Sequence, residues 1–213
     1  VVPHLVDVRE VYAGRLGESR SNASSSQSVR TIHLLYIGGF HRGIREPDLL
    51  FDLIRKLNQN ADHEYILTIY GPANGFDLTA AGCPQIRYKG MIARDKAMQL
   101  ISKADILVNV DNMNCVMSPS KIVEYIGTGR PLLNLKSGGV DHPALTRYVQ
   151  CKFAFELSRE ELLSGGTDLV AQFLSRTAGT IAPLRTVESV LEGYTLPSVA
   201  DQYLAFAFET HLQ

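Results

Sequence analysis

The sequence predicts an α/β fold: a Rossmann-like, doubly wound and mostly parallel sheet of about six strands with helices on both faces. Short apolar segments rich in β-branched and aromatic residues alternate along the chain with segments whose apolar residues recur at helical spacing. The apolar segments are continuous, which is typical of parallel strands that are buried on both faces. Right-handed crossover connections then lay helices on both faces of the sheet.

The predicted elements alternate regularly from Thr31 onward. The first strand, "TIHLLYIGG", ends at a glycine pair, and the next segment, "EPDLLFDLIRKLNQ", has apolar residues one helical turn apart. Strands are predicted at residues 31–39, 64–71, 85–90, 105–110, 131–135 and 152–157. A loop through Gly138 and Gly139 is predicted between the last two strands. Helices are predicted at residues 46–59 and 94–104, from Ser118 to a stop at Gly127-Thr128-Gly129, and at 158–163, 167–178, 183–191 and 198–211.

Residues 1–30 differ in character from the rest of the chain. "VVPHLVD" is a short extended piece broken by Pro3, and "GESRSNASSSQS" is a Ser-rich loop with little to bury. We predict a linker at residues 1–30, one Rossmann-like domain at residues 31–197 and a C-terminal helix at residues 198–213. The apolar positions of that helix suit either packing on a partner domain or capping this domain's own core.

Charge and cysteine content argue against several classes of function. The 213 residues carry a formal net charge of −1 with acidic and basic residues interleaved, so no long-range field attracts nucleic acid or an anionic membrane. The three cysteines are widely spaced and form no C-x-x-C pair, which argues against a disulfide framework and a zinc site and indicates a reducing, cytoplasmic location. No apolar run approaches the roughly 20 residues that span a bilayer, so we expect membrane association to be peripheral at most. We expect no metal and no cofactor.

Ligand-binding residues are expected at one edge of the sheet, because ligands of doubly wound sheets bind outside the carboxyl ends of the strands. Those ends are followed here by residues 38–45, 71–76, 90–93, 111–121 and 136–142. His41 and His142 lie in these loops. We assign neither a role, because a single loop histidine is more often a surface residue than a catalyst.

The stretch "SPSKIVEYIGTGRPLL", residues 118–133, combines several features of a ligand site. With Ser118 or Ser120 as the N-cap, the first turn of the helix presents free backbone N–H groups to an anion, and Lys121 adds a positive charge. The helical wheel predicts one side that packs on the sheet and one that faces the cleft or solvent: Ile122, Val123 and Ile126 on the first, and Ser120, Lys121, Glu124 and Tyr125 on the second.

Glu124 lies about one turn beyond Lys121 and does not fit the spacing of a capping box, so its carboxylate is available to a ligand. A nucleoside diphosphate would satisfy these features together, with its phosphates at Lys121 and the N–H groups and its ribose hydroxyls at Glu124. The alternative is an i,i+3 ion pair between the two side chains on a solvated face. The position of the helix after a parallel strand, and the glycine-rich loop after the first strand, favour the ligand site.

These residues resemble the GT-B glycosyltransferases. "SPSKIVEYIGTGRPLL" is similar to the donor-binding helix of that family in the form P-S-K-hydrophobic-x-E-Y-x-x-x-G-[KR]-P, and "VVPHLVD" resembles the segment that links the two halves of retaining members. "LLYIGGFHRGIREPDLLFDLI" and "QIRYKGMIARDKAMQLISKADILVNV" resemble their glycine loop and their base-contacting loop with the flanking elements. The match is ordered along the chain from Val1 to Leu135.

The resemblance implies that the chain is the C-terminal, nucleotide-sugar-binding half of such an enzyme. The complete enzyme would move a sugar from a UDP- or GDP-sugar to an acceptor held by an N-terminal domain that is missing from this chain. That domain often supplies the general base or acid, so we leave the catalytic residues unassigned. We expect the isolated chain to bind the donor nucleotide with little or no turnover.

The resemblance also implies donor-binding roles for individual residues. These are Gly38 and Gly39 at the diphosphate, Arg42 or Arg45 as a positive charge, Met91 and Ile92 with backbone groups at the base, Ser120 and Lys121 at the phosphates, and Glu124 at the ribose hydroxyls. From the residues alone, other interpretations remain open. The glycines fit any strand-ending turn, the arginines can pair with Glu46 or Asp48, and Met91 and Ile92 can belong to the core.

The chain departs from the family pattern at one position, which leaves other functions open. Many retaining members carry a second glutamate near the donor sugar, eight residues before the ribose-binding one, and Val116 stands there in this chain. Asn112 or Asn114 is a candidate for contact with the sugar instead. An epimerase or hydrolase of similar fold would use a carboxylate pair, for which Asp111 and Asp141 are the candidates. A non-catalytic, degenerate glycosyltransferase subunit is the other alternative.

Overall fold

The computed structural model describes residues 12, 30–59, 62–79, 82–113, 121–138, 141–195, 198 and 200. The predicted linker and the predicted C-terminal helix therefore lie almost entirely outside the described residues. The same holds for four residues singled out in the sequence analysis, which are Asn114, Val116, Ser118 and Ser120.

Six strands form one parallel sheet, as predicted. They are β1 (Arg30–Ile37), β2 (His63–Tyr70), β3 (Ile86–Tyr88), β4 (Ile106–Val110), β5 (Leu132–Lys136) and β6 (Ala154–Ser158). Their order in the sheet is β3-β2-β1-β4-β5-β6, and each neighbouring pair is parallel. The first described strand, β1, lies in the middle of the sheet, and the following strands lead first to one edge and then to the other, which is the Rossmann-like arrangement.

Helices cover both faces of the sheet, which confirms the doubly wound prediction. Within the described residues they are α1 (Asp48–Leu57), α2 (Arg94–Lys103), α3 (Lys121–Gly127), α4 (Pro143–Gln150), α5 (Arg159–Leu163), α6 (Thr167–Thr177) and α7 (Leu184–Val190). Buried residues of α1, α5 and α6 share one apolar cluster with the sheet, and those of α2, α3, α4 and α7 share a second. Successive strand residues alternate between the clusters, because their side chains point to opposite faces.

Helix α4 is the element that the sequence analysis misses. It begins at Pro143, soon after the predicted loop through Gly138. Proline fits the first turn of a helix, because the N–H groups there have no partner within the helix. Ala144, Leu145 and Tyr148 of α4 are buried against the second face. Glycine and proline alone indicate a loop, whereas the helical spacing of these three apolar residues identifies the helix.

The loops that follow β1 and β2 touch through two glycines. The backbone N–H of Gly38 donates to the carbonyl oxygen of Tyr70 at 2.8 Å. Gly71 has a φ of +132°, and a Cβ atom on it would lie 2.2 Å from the carbonyl oxygen of Gly38. Only glycine permits this approach without a shift of the backbone. The path of the loop after β1 is therefore set by the absence of a side chain at residue 71.

A row of polar side chains crosses the sheet near its carboxyl edge, and no pattern in the sequence predicts it. Asn109 of β4 is in register with Asn134 of β5, which is in register with Glu156 of β6. Asn109 Nδ2 donates to Asn134 Oδ1 at 2.7 Å, and Asn134 Nδ2 donates to Glu156 Oε1 at 3.2 Å. Asp111, just beyond β4, accepts hydrogen bonds from Asn109 Nδ2 and Asn134 Nδ2, both at 3.2 Å. We call these four residues the polar row.

Asp111 is the buried acid of the polar row, with 8% of its surface exposed. Burial raises the pKa of its carboxyl group from 3.8 to about 6, while the hydrogen bond from Asn134 acts in the opposite direction. The negative charge of Glu156 raises the pKa further, and the positive charges of Lys136 and Arg45 lower it. The hydrogen bonds within the row offset part of the cost of burying a carboxylate.

We predict that Gly71→Ala destabilises the fold strongly, because the new Cβ atom would overlap the Gly38 carbonyl oxygen. Gly75→Ala is the matched control: Gly75 also has a positive φ, of +85°, but a Cβ atom there meets nothing within 4 Å. We expect losses in the free energy of unfolding of about 1 kcal/mol for the control and at least about 3 kcal/mol for Gly71→Ala, measured by urea denaturation. Equal losses would contradict the tight contact between the two loops.

We also predict a pH-dependent contribution of Asp111 to stability. Because its folded pKa of about 6 exceeds its unfolded value of 3.8, the folded state binds more protons than the unfolded state between those values. The free energy of unfolding of the wild type, minus that of Asp111→Asn, should fall by about 1 to 3 kcal/mol as the pH rises from about 4 to about 6. From about one pH unit above the folded pKa, the difference should be constant. A difference that rises with pH in urea denaturation would contradict the raised pKa.

Candidate functional site

The crevice between the carboxyl ends of β1 and β4 is the candidate site. From β1 the chain winds toward β3 at one edge of the sheet, and from β4 it winds toward β6 at the other, so the connections diverge between these two strands. In doubly wound sheets this divergence opens a ligand-binding crevice. It is bordered here by residues 38–45 after β1, by residues 111–113 after β4 and by helix α3. Most of the predicted site residues lie around it.

Gly38 and Gly39 form the first wall of the crevice. A Cβ atom on Gly38 would lie 2.9 Å from Tyr36 Oη and 3.5 Å from Lys121 Nζ. A Cβ atom on Gly39 would lie 2.9 Å from Pro72 Cγ. Both glycines are thus required by the packing of the loop itself, in addition to any approach by a ligand. The contact of their backbone with a diphosphate stays a prediction.

Arg45 belongs to the loop after β1, and its side chain contacts both loops that border the crevice. Its guanidinium group donates to Asn112 Oδ1 at 2.6 Å and to the carbonyl oxygen of Gly39 at 3.4 Å. Its Nε atom is buried and has no hydrogen-bond partner among the described residues. Burial is the larger influence on the pKa of both Lys121, which it lowers, and Asp111, which it raises. The positive charge of Arg45 lowers both pKa values. Of the two arginines predicted for the site, Arg45 is the one that contacts both loops.

Arg42 is held farther out, against the loop that follows β2. Its guanidinium group donates to the carbonyl oxygen of Gly75 at 3.2 Å and lies 5.1 Å from the centre of the Phe76 ring. Among the described residues, neither Arg42 nor Arg45 forms the alternative ion pair with an acidic residue of the nearby chain. Glu46 instead accepts a hydrogen bond from the backbone of Gly43 at 2.9 Å.

Lys121 connects helix α3 to the end of β1. Its Nζ atom donates to the carbonyl oxygen of Ile37 at 2.5 Å. Burial lowers the pKa of Lys121, the positive charge of Arg45 lowers it further, and Glu124 acts in the opposite direction. Two cations therefore lie near one glycine loop, and the charge of Arg45 disfavours the charged form of Lys121. An anion bound between them would relieve this repulsion.

Glu124 is directed toward the start of helix α2. Its Oε1 atom lies 3.7 Å from Arg94 Nη2, and the Arg94 side chain is 83% exposed. In the described part of the chain Glu124 thus pairs with Arg94, and the alternative pair with Lys121 is not formed. An exposed ion pair at this distance contributes little to stability. The Glu124 carboxylate can accept hydrogen bonds from a ligand at little cost.

Met91 and Ile92 lie in the loop between β3 and α2. Met91 is 74% exposed, so the alternative that places it in the core is wrong. Ile92 is half-buried. The backbone N–H of Gly71 donates to the carbonyl oxygen of Gly90 at 2.9 Å, which ties this loop to the end of β2. Since Arg94 follows closely and contacts Glu124, the loop lies at the same edge of the sheet as α3.

Tyr125 is buried, whereas the helical wheel predicts that it faces the cleft or solvent. It is 1% exposed, and its hydroxyl group donates to the carbonyl oxygen of Ile37 at 3.3 Å. This oxygen therefore accepts hydrogen bonds from both Lys121 and Tyr125. A tyrosine can be buried when its hydroxyl group finds a partner, and a wheel that counts it as polar misplaces it. Burial also raises the pKa of Tyr125.

Tyr36 and Arg94 border the site although the sequence analysis gives them no role. Tyr36 Oη donates to the carbonyl oxygen of Gly39 at 3.3 Å, and burial raises the pKa of Tyr36 to about 12. Nothing in the sequence marks Tyr36, because it sits among apolar residues of a strand. Arg94 does carry a signal: it opens a predicted helix directly after the predicted base-binding loop.

Asp111 and Asp141 are the carboxylate pair considered for an epimerase or hydrolase, and no direct contact between them is found among the described residues. Asp141 Oδ1 lies 2.8 Å from Lys136 Nζ. The acidic neighbour that raises the pKa of Asp111 is Glu156 rather than Asp141. The hydrogen-bond and ion-pair partners of the two aspartates differ, although the positive charge of Lys136 acts on both.

The two loop histidines have ordinary contacts. The His142 ring stacks on the Tyr194 ring with their centres 5.4 Å apart, and His41 contacts the Asn74 side chain. Within the described residues, no group of three or more His, Cys, Asp or Glu side chains is arranged to hold a metal ion. None of the described helices is long and apolar enough to cross a membrane.

The fold matches solved glycosyltransferase structures over most of the chain. The apo form of the lipopolysaccharide outer core galactosyltransferase WaaB matches with a TM-score of 0.62 at 14% identity, over 99% of this chain and 55% of that one. The GtfA/B complex matches with a TM-score of 0.62 at 15% identity, over 87% of this chain and 37% of the other. The C-terminal domain of the glycosyl transferase group 1 family protein LpcC from Francisella tularensis matches with a TM-score of 0.50 at 11% identity, over 92% and 97% of the two chains.

Sequence comparison gives no relative of this kind: no protein-family model matches the chain, and no curated protein matches it significantly. Four of the matched structures belong to longer chains, of which this chain spans between 37% and 55%. It spans nearly all of the separate LpcC domain. At these low identities the matches establish the fold. The chain has the fold of a GT-B glycosyltransferase domain, as the sequence resemblance implied.

Proposed function

We propose that this chain is the nucleotide-sugar-binding half of a glycosyltransferase, which moves a sugar from a UDP- or GDP-sugar to an acceptor. The observation that carries the proposal is the convergence of Arg45 and Lys121 on the glycine loop after β1, with Glu124 about one turn farther along α3. The GT-B fold supports it. The match to LpcC over nearly the whole of a C-terminal domain supports the assignment to that half.

The two cations bind the diphosphate in this proposal. Arg45 has a buried Nε donor with no partner among the described residues, and Lys121 has an ammonium group beside it in the crevice. Both can donate charge-assisted hydrogen bonds to phosphate oxygens. In the transfer step the bond between the sugar and the diphosphate breaks, and negative charge develops on the departing diphosphate. Fixed cations at that position stabilise the transition state without a metal ion.

The nucleoside extends from the diphosphate toward helix α2. Glu124 accepts hydrogen bonds from the ribose hydroxyls, since among the described residues only an exposed ion pair with Arg94 competes for its carboxylate. The base lies at the loop of Met91 and Ile92, whose backbone groups are available beside an exposed methionine side chain. Ser120, outside the described residues, is proposed as a further phosphate ligand by its position before Lys121.

A second domain completes the reaction. Transfer requires an acceptor held against the anomeric carbon of the donor sugar, and a group that takes the acceptor's proton. This chain spans about half of the matched chains of WaaB and WaaG, and we assign these tasks to the other half of the complete protein. The isolated chain then binds the donor nucleotide with little or no turnover. We place the protein in the cytoplasm, with at most peripheral membrane association and no nucleic-acid partner.

We predict that the chain binds one of UDP, GDP and ADP in preference to the others, and that Glu124→Ala weakens this binding about tenfold or more. The expected loss corresponds to hydrogen bonds from ribose hydroxyls to a carboxylate, at roughly 1.5 to 3 kcal/mol each. Titration calorimetry measures the dissociation constant. The control is Glu64→Ala, because Glu64 is also a half-buried acid but lies at the amino end of β2, where it accepts a hydrogen bond from Thr31 at 3.2 Å.

The control should leave the dissociation constant unchanged. Equal weakening by both substitutions would contradict a ribose contact at Glu124 and would indicate a general loss of structure. If the chain binds none of the three nucleotides and the complete protein binds none either, the donor-binding proposal is wrong. If the complete protein binds a nucleotide sugar but transfers no sugar, the chain belongs to a non-catalytic subunit.

We further predict that Lys121→Met weakens binding of the preferred nucleoside diphosphate about tenfold, and that of the matching monophosphate much less. The methionine keeps the length of the side chain and removes the charge that faces the diphosphate. Lys103→Met is the control, since Lys103 lies at the far end of helix α2, away from the carboxyl edge of the sheet. Equal losses for the diphosphate and the monophosphate would contradict a contact between Lys121 and the second phosphate.

A further inference from the structure

Residues 111–113 connect the polar row to Arg45. At the start of this segment, the backbone N–H of Asp111 donates to the carbonyl oxygen of Leu135 in β5 at 3.0 Å. At its end, the backbone N–H of Met113 donates to the carbonyl oxygen of Ile44 at 2.5 Å. Between them, Asn112 Oδ1 accepts the 2.6 Å hydrogen bond from Arg45. The segment thus joins β5 on one side to the turn that carries Arg45 on the other.

Asn134 is the residue that holds the Asp111 side chain at the start of this segment. It is fully buried, and its amide group contacts three members of the polar row at once. Its Nδ2 atom donates to Asp111 Oδ2 and to Glu156 Oε1, and its Oδ1 atom accepts from Asn109. A carboxamide is required here, because the position needs a donor toward two carboxylates and an acceptor toward an amide. An apolar residue of the same size would fill the space but leave these groups without their partner.

The position of Arg45 depends on few contacts. Within the described residues, its guanidinium group bonds to Asn112 Oδ1, to the Tyr36 hydroxyl group and, at the longer distance of 3.4 Å, to the Gly39 carbonyl oxygen. Arginine side chains are flexible, and ordering one costs free energy unless the protein has already fixed it. The attachment of residue 112 through Asp111 and Asn134 therefore contributes to how well Arg45 is fixed before a ligand arrives, because Asn112 accepts the 2.6 Å hydrogen bond from its guanidinium group.

We propose that Asn134 is a positioning residue for Arg45: by holding Asp111 it fixes Asn112, and by this route it raises the affinity of the crevice for a diphosphate. Asn134 itself contacts no ligand in this arrangement. The consequence for affinity rests on the proposed donor-binding function, whereas the ordering of Arg45 does not depend on any ligand.

The first test is a double-mutant cycle. Asn134→Leu should weaken binding of the preferred nucleotide among UDP, GDP and ADP about tenfold, measured by titration calorimetry. In the Arg45→Ala background the same substitution should weaken binding less than twofold, because the residue through which it acts is gone. Losses that multiply in the double variant would overturn the proposal, since a general structural effect does not depend on Arg45.

Asn58→Leu is the control for the loss of an asparagine side chain with several hydrogen bonds. The Asn58 side chain makes three hydrogen bonds to the backbone. One goes to Ile54 in α1 and two go to Tyr65, near the amino end of β2. The substitution should lower the free energy of unfolding yet leave the nucleotide dissociation constant unchanged. If Asn134→Leu does not fold, Asn134→Ser takes its place in the cycle, because it keeps a polar group and adds no bulk.

The second test needs no nucleotide. The buried Nε–H group of Arg45 should give a side-chain NMR signal that exchanges slowly with water, identified by its loss in Arg45→Lys. In Asn134→Leu this signal should broaden or exchange at least about tenfold faster, while Asn58→Leu leaves it unchanged. An unaltered Arg45 signal in a folded Asn134→Leu variant would overturn the proposal. If neither the wild-type chain nor the complete protein binds a nucleotide but the signal responds, the ordering of Arg45 by Asn134 stands and the proposed function fails.

Discussion

The parallel pairing of β1 with β4 is the constraint on which the rest of the site depends. Leu34, Leu35 and Tyr36 of β1 are in register with Ile106, Leu107 and Val108 of β4. This pairing brings together the ends of two strands that are separated in the chain by two other strands and two helices. Everything proposed for the crevice follows from it, because the glycine loop comes from one strand and Asn112 and α3 come after the other. The carbonyl oxygen of Ile37 then fixes α3 in place by accepting hydrogen bonds from Lys121 and Tyr125.

The sequence predicts the elements that depend on local patterns. The alternation of six continuous apolar segments with helical segments predicts the parallel sheet. The glycines after β1 indicate the edge of the sheet at which the crevice lies. Helix α4 was missed because Pro143 has two meanings, as a loop residue and as the first residue of a helix. Tyr125 was misplaced for a similar reason, since one side chain carries an apolar ring and a polar hydroxyl group.

The polar row could not be predicted, because it depends on register between distant segments. Asn109 and Asn134 are 25 residues apart in the chain, and each appears in the sequence as an isolated asparagine within an apolar strand. An asparagine in a strand is ordinarily unfavourable. Only the alignment of three neighbouring strands shows that the polar groups satisfy one another. The same limit applies to the contact between Glu124 and Arg94, which joins helices that follow different strands.

The hydrogen-bond acceptors of Arg45 and Lys121 explain how the proposed site could favour an anion over other ligands. Within the described residues, the hydrogen bonds of Arg45 and Lys121 go to neutral oxygens: an asparagine amide, a tyrosine hydroxyl and two backbone carbonyls. Neutral acceptors orient a cation without neutralising it, whereas a carboxylate partner would compete with any phosphate. The lowered pKa of Lys121 is the cost of this arrangement, because a buried cation beside another cation is destabilised. Under the proposed function, a bound diphosphate would remove that cost by placing negative charge between the two side chains.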